Sequence, residues 1–209
     1  LLNLHATYER VSFALGTNVA GMVEEYAKRE GSPIPTTIVP SEKAPVHEVV
    51  LTGDDIDVTK LPTLVHQELD AGRYITSAAA VSRDPDSGRL NAGIFRHQVQ
   101  GPRQVGFMTN PAHQTSYILR NYRDRGERME VALVLGHHPA MLMSAVSKLP
   151  GIGGEFEVMG GLLGQSVEMV NCKTVPMDVP ADAEIVLEGH ILPGVREPEG
   201  PFAEFTGYH

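Results

Sequence analysis

Glycine and proline interrupt this 209-residue chain along its whole length, 21 of the one and 15 of the other, with short apolar runs between them. Proline fixes φ and removes a backbone donor, and glycine supplies turn conformations that other residues avoid, so long regular elements are ruled out. Many short strands joined by tight turns are the consequence. Hydrophobic residues at 42% and charged residues at 21% give an ordinary globular balance, which excludes a disordered chain. A chain of this length makes one large domain or two small ones.

Local patterns place the elements. Val19, Met22, Val23 and Tyr26 recur at helical spacing, and Gly31 and Pro33 close a helix that begins near Asn18. Prolines at 33, 35, 40 and 45 make residues 32–46 an extended connection. A strand pattern covers 75–82 and resumes over 90–99 after the turn cluster Pro85-Asp86-Ser87-Gly88, which predicts a hairpin. Gly101-Pro102 then turns the chain into 105–108. A helix is expected over 113–126, a buried strand over 129–135, a short helix opened by Pro139, and two late strands within 166–175 and 183–192. The glycine-rich GIGGEFEVMGGLLGQ at 151–165 fits no phosphate or dinucleotide spacing and reads as a flexible backbone loop. Helices do not alternate regularly with strands, so the class is α+β with an antiparallel bias.

Composition narrows the functional classes. With 17 basic and 26 acidic residues the net charge is −9, which disfavours a nucleic-acid partner. Cys172 is the single cysteine, so no internal disulfide or thiolate cluster can form and a reducing cytoplasm is the expected home. No apolar run approaches the ~18 to 20 residues of a membrane helix, and a soluble protein is expected. Leu1 follows no initiator methionine or charged leader, and the chain stops inside the glycine-bearing turn Gly207-Tyr208-His209; both ends suggest a piece of something longer.

Two segments could carry chemistry. In Glu197-Pro198-Glu199-Gly200-Pro201-Phe202-Ala203-Glu204-Phe205, prolines and glycines forbid a helix, so Glu199 and Glu204 sit on a stiff loop. A carboxylate beside Phe202 and Phe205 is desolvated, which raises its pKa and suits it to hold a proton near neutrality, although a solvated acidic loop has the same composition. In Asn91-Ala92-Gly93-Ile94-Phe95-Arg96-His97-Gln98 an arginine stands in an otherwise apolar strand. It needs an acidic partner or an anionic ligand, unless it reaches solvent from an edge. His137 and His138 are adjacent and diverge, so they do not chelate one ion. The HExxH, P-loop, GxSxG and CxxC motifs are all missing.

With those segments in hand, the chain resembles the UbiD family of prenylated-flavin-dependent decarboxylases. The resemblance runs through LLNLHATYERVSFALG, then VVLTGDDIDVTKLPTLVHQELDAGRYITSAAAVSRDPDSGRLNAGIFRHQVQGPRQ, then VNCKTVPMDVPADAEIVLEGHILPGVREPEGPFAEFTGYH. It implies a split β-barrel flavin-binding domain with flanking helices over residues 47–209, preceded at 1–46 by the remnant of an N-terminal α/β element and linker. The family's C-terminal domain would be absent. The resemblance also implies metal ligands at Asn91, His113 and Glu155 for divalent manganese or magnesium, often with potassium alongside, and an amide, an imidazole and a carboxylate suit such a cation. Prenylated FMN would be contacted by Ile94, Phe95, Arg96, Asn110, Pro111, Ala112 and Gln114. Arg96, Glu199 and Glu204 would form the acid–base set, with Glu204 as proton donor. The implied partners are a small carboxylic acid substrate, a flavin prenyltransferase that supplies the cofactor, and further copies of the same chain in a homo-oligomer. The competing readings are a non-catalytic flavin-binding or assembly subunit, which has no need of a proton donor beside an arginine, and a metal-dependent hydrolase, which leaves the EGPFAEF loop unexplained.

Overall fold

The apolar run Met129–Leu135 forms the strand around which the chain is built, in a computed structural model that describes residues 5–203. Ala132 and Val134 turn into a large core while Val131 and Leu133 turn into a smaller one, so this strand is buried on both faces and its apolar run is unbroken from Val131 to Leu135. Counted along the described residues, the strands are β1 (Thr37–Ile38), β2 (Tyr74–Ile75), β3 (Ala79–Arg83), β4 (Leu90–Ile94), β5 (His97–Gly101), β6 (Gln104–Val105), β7 (Met129–Leu135), β8 (Glu168–Asn171), β9 (Asp178–Pro180) and β10 (Ile185–Ile191). The helices are α1 (Tyr8–Ala14), α2 (Met22–Glu30), α3 (Gln114–Asp124), α4 (Ala140–Ser144) and α5 (Glu155–Leu163).

Three sheets result, ordered β10-β7-β3-β4, β2-β5-β6 and β1-β8-β9. The expected antiparallel bias holds, β1 with β8 being the one parallel pairing among the described strands. These sheets do not close into a barrel within the described residues. Contacts also cross position 46: the Val46 amide donates to Ala181 O at 3.0 Å, and Arg29 Nη1 to Leu162 O at 2.8 Å.

The predicted hairpin exists, but each of its strands changes sheet midway. The 75–82 run breaks at Thr76-Ser77-Ala78 into β2 and β3, and the 90–99 run breaks at Phe95-Arg96 into β4 and β5. Because β3 pairs with β4 and β2 with β5, both strands leave one sheet and enter the other at the same level. Phe95 and Arg96 are thereby left between two ladders, at the corner where a functional side chain can emerge.

Residues 151–165 are the clearest departure from expectation, since the anticipated loop is helix α5. Gly154 (φ 116°) caps its start and Gly164 (φ 73°) ends it. Gly160 and Gly161 lie inside it, where glycine costs about 1 kcal/mol relative to alanine. Their reason is packing: a Cβ at Gly160 would stand 2.8 Å from Ile34 O, and one at Gly161 would stand 2.5 Å from Arg29 O. The backbone following α2 lies directly on α5, while Phe156, Met159 and Leu162 enter the core, at roughly 1.5–3 kcal/mol apiece. The helix α1 is a second element beyond the expected set. Its Tyr8 and Phe13 are exposed while Val11, Ala14 and the following Leu15 face the large core, and Thr7 caps it by accepting from the Arg10 amide.

Candidate functional site

The strand arginine has its acidic partner. Arg96 Nε donates to Glu199 Oε1 at 2.9 Å and Nη2 donates to Oε2 at 2.7 Å, a bidentate pair whose side chains are only 19% and 15% exposed. The Arg96 guanidinium also stands 5.2 Å from the centre of the Phe202 ring, and Tyr74 packs on the same ring at 4.5 Å. Burial and the Glu199 charge push the Tyr74 hydroxyl above its ordinary pKa, with Arg96 pulling the other way.

The stiff loop expected at 197–205 is tied down along its described length. Gln100 Nε2 donates to Pro198 O at 3.0 Å, the Gly200 amide to Gln98 Oε1 at 3.3 Å, and the Ala71 amide to Pro201 O at 2.8 Å. The Ala203 amide donates to Asp70 Oδ1 at 2.9 Å. Glu204, expected as the proton donor, lies outside the described residues.

At the other end of the same chain stretch, the polar groups are deeply buried. Asn91 is 2% exposed, and its Nδ2 donates to Thr115 Oγ1 on α3 at 2.9 Å. Glu155, the first residue of α5, is 3% exposed and its Oε2 has no partner among the described residues. Burial raises its pKa above the ordinary carboxylate range; its own amide, the Ala92 amide and Arg89 act to lower it, while Glu157 adds to the rise. The Ala92 amide brings this carboxyl to the backbone of β4, next in sequence to Asn91. Ser82 stands opposite Asn91 in the β3–β4 register, and its buried Oγ is likewise unpartnered among the described residues.

His113 is the N-cap residue of α3, two positions before Thr115, and its ring lies 5.4 Å from that of Phe95. Its exposed imidazole accepts from the Asn110 amide at 3.4 Å. Asn110 organises the turn before α3: its Oδ1 accepts from Ala112 N at 3.0 Å and its carbonyl from His113 N at 2.9 Å. Gln114 Nε2 donates to Gly151 O at 2.6 Å, tying the start of α3 to the segment that leads into α5. An open groove of about 580 Å³ runs there, lined by Arg89, Gln114, Tyr117 and Gly151 among others. Of the remaining expected contacts, Ile94 is half-buried, Phe95 is buried, and Pro111 and Ala112 are exposed. No three His, Cys, Asp or Glu side chains among the described residues form a metal cluster. The fold has instead a buried amide on β4 and a buried carboxylate near the Ala92 backbone, with the imidazole at the N-cap of α3.

Thr115, Asp70 and Gln98 were not anticipated. Thr115 follows His113 in a predicted helix start, but no local signal marks Asp70, whose partner Ala203 is 133 positions away.

Residues 21–209 match the family described as UbiD, 3-octaprenyl-4-hydroxybenzoate carboxy-lyase Rift-related domain. The chain belongs to the UbiD family. Among its relatives, the phenolic acid decarboxylase of Bacillus subtilis (strain 168) is 38% identical over 189 residues, covering 88% of this chain and 40% of that one. Among solved structures of UbiD-class proteins, the enzyme HmfF from Pelotomaculum thermopropionicum in complex with FMN superposes with a TM-score of 0.93 at 41% identity, over 98% of this chain and 46% of that one. An evolved dimeric form of HmfF in complex with prFMN gives the same TM-score and identity, over 98% and 48% of the two chains. The chain thus spans just under half the length of these UbiD relatives. No described helix is long and apolar enough to cross a membrane.

Proposed function

We propose that the whole protein is a prenylated-FMN-dependent decarboxylase that catalyses the non-oxidative, reversible decarboxylation of an aromatic, heteroaromatic or α,β-unsaturated carboxylic acid. One observation carries the reading: a bidentate Arg96–Glu199 pair and a buried, unpartnered Glu155 carboxylate flank the β4–β5 stretch. The names of the relatives, decarboxylases and FMN- or prFMN-bound enzymes, support it. The intact ion pair favours an enzyme over a non-catalytic flavin-binding or assembly subunit.

In this reading Asn91, His113 and Glu155 hold a divalent manganese or magnesium ion, with potassium nearby. The orphaned Glu155 oxygen fits that role, because a buried carboxylate without a donor is stabilised by a hard cation. Prenylated FMN, when bound, supplies the electron sink that no ordinary side chain offers. Residues of this chain do the rest. Ile94, Phe95 and Arg96, with Asn110, Pro111, Ala112 and Gln114, bind and orient the cofactor. Arg96 faces the substrate carboxylate, and Glu199 fixes the guanidinium in a single orientation. Phe202 and Tyr74 exclude water from the pair. Glu204 holds the proton that is delivered to the carbon from which carbon dioxide departs.

The three sheets are read as a split β-barrel over 47–209, with 1–46 as the remnant of an N-terminal α/β element. The protein is read as cytoplasmic and homo-oligomeric, supplied by a flavin prenyltransferase. The deciding experiment uses the whole protein made with and without that prenyltransferase. Glu204→Gln is expected to abolish carbon dioxide release while retaining the cofactor spectrum; turnover at the wild-type rate in that variant refutes the reading.

A further inference from the structure

The loop that carries the acidic residues is held by more than the Arg96–Glu199 pair. Asp70 Oδ2 accepts from the Gln67 amide at 2.8 Å and the His66 amide at 3.1 Å, which closes its own turn. Its Oδ1 accepts from the Ala203 amide at 2.9 Å. One carboxylate therefore joins the turn at 66–70 to the backbone immediately before Glu204, with both oxygens engaged.

The surrounding contacts run in the same direction. Ala71 N donates to Pro201 O at 2.8 Å, Tyr74 Oη to the same carbonyl at 3.5 Å, and the His66 ring meets the Phe202 ring edge-on at 5.7 Å. Burial acts to raise the Asp70 carboxyl, but the amides of Ala203, Gln67 and His66, with the His66 imidazole charge, outweigh it and hold it below the ordinary carboxylate range. The anion is the form that accepts all three bonds.

We propose that Asp70 is a positioning residue: by accepting the Ala203 amide it fixes the backbone one residue ahead of Glu204 and so sets where that carboxyl presents its proton. The inference rests on the proton-donor reading of Glu204 given above. Its physical content lies in the number of acceptors. An asparagine at 70 has one oxygen in place of two, so whichever way its amide turns, an NH₂ group meets a backbone N–H. Volume is kept while one side of the latch becomes donor against donor.

The test compares wild type, Asp70→Asn and Glu204→Gln in the whole protein, with two readouts. The first is amide hydrogen exchange of the peptide covering 198–209 without cofactor, where Asp70→Asn is expected to exchange about tenfold faster or more while the melting temperature stays within a few degrees. The second is steady-state decarboxylation of the loaded enzyme, where kcat is expected to fall about 10- to 100-fold with KM moved less than about threefold. A merely structural role would not split kcat from KM in this way. Unchanged exchange overturns the latch. Faster exchange with wild-type kcat in Asp70→Asn, while Glu204→Gln is inactive, overturns the positioning role alone. Faster exchange with both variants fully active overturns it too, and places the fault in the proton-donor reading rather than in the latch.

Discussion

Asn91 lies on β4 and Arg96 at the corner between β4 and β5, yet the two ends of that stretch are finished to different degrees. At the Arg96 end the acid and its loop are held from within the chain, Glu199 by a bidentate guanidinium and the loop around it by Gln98, Gln100, Ala71 and Asp70, and the buried His97 Nε2 is the one side-chain atom there without a partner among the described residues. At the Asn91 end the groups are more deeply buried and less satisfied, with Glu155 Oε2 and Ser82 Oγ left without partners among the described residues. Folded proteins pair nearly all buried polar atoms, so the two ends are built for different tasks. The first holds its ion pair and loop by its own contacts, whereas the second keeps a buried carboxylate oxygen without a partner, at the place proposed above for a cation.

The largest effect that could break this contrast is at the Arg96 end. Arg96→Met leaves Glu199 without its cation and is expected to lower decarboxylation about 10³-fold; a variant with near-normal kcat would deprive the pair of its chemical meaning. Next comes the neighbouring His97, fully buried, whose Nδ1 donates to Gly106 O at 3.0 Å. Burial pushes this imidazole from its usual 6.5 down to about 4, the Gly106 carbonyl opposing. Between those values the unfolded chain binds a proton that the folded one refuses, so stability is full above about pH 6.5 and falls by about 3 kcal/mol as pH drops toward 4. Urea unfolding at pH 7 and pH 4.5 should show that His97→Leu flattens this loss, and an equally steep fall in the variant would show that the sensitivity lies elsewhere.

At the unsatisfied end, manganese at about a hundredfold excess over its dissociation constant should stabilise the wild type by about 2.7 kcal/mol. Glu155→Gln should remove that response in a thermal melt, and an undiminished rise would mean that the orphaned oxygen is not a ligand. The smallest expected change sharpens the comparison from a distance. Gly161→Ala drives a methyl toward Arg29 O and should cost about 1–3 kcal/mol by chemical denaturation, loosening the helix that carries Glu155 while Arg96 and Glu199 keep their pairing.

Much of this architecture was legible in residue patterns. The strand at Met129–Leu135, the helix that became Gln114–Asp124, the hairpin turn after Arg83 and the need of Arg96 for an acid all follow from periodicity, turn chemistry and the cost of burying a charge. The helix at Glu155–Leu163 was not legible, because its glycines answer to a neighbouring backbone more than a hundred positions earlier, and local propensity counts them only as breakers. The change of sheet at Phe95-Arg96 was hidden for a similar reason. An extended pattern records that a residue is in a strand, and not which ladder it joins.

By itself, the sequence determined the mixed α and β class of the fold and the residue types available for chemistry, since those depend on short-range stereochemistry and on side chains that water or an apolar core accepts or rejects; the family came from resemblance over several long segments. Only the tertiary structure decided which distant groups meet: Arg96 with Glu199, Asn91 with Thr115, Asp70 with Ala203. Such meetings are set by packing and by the requirement that buried donors find acceptors, and both conditions are satisfied across the whole chain at once rather than within any window of it.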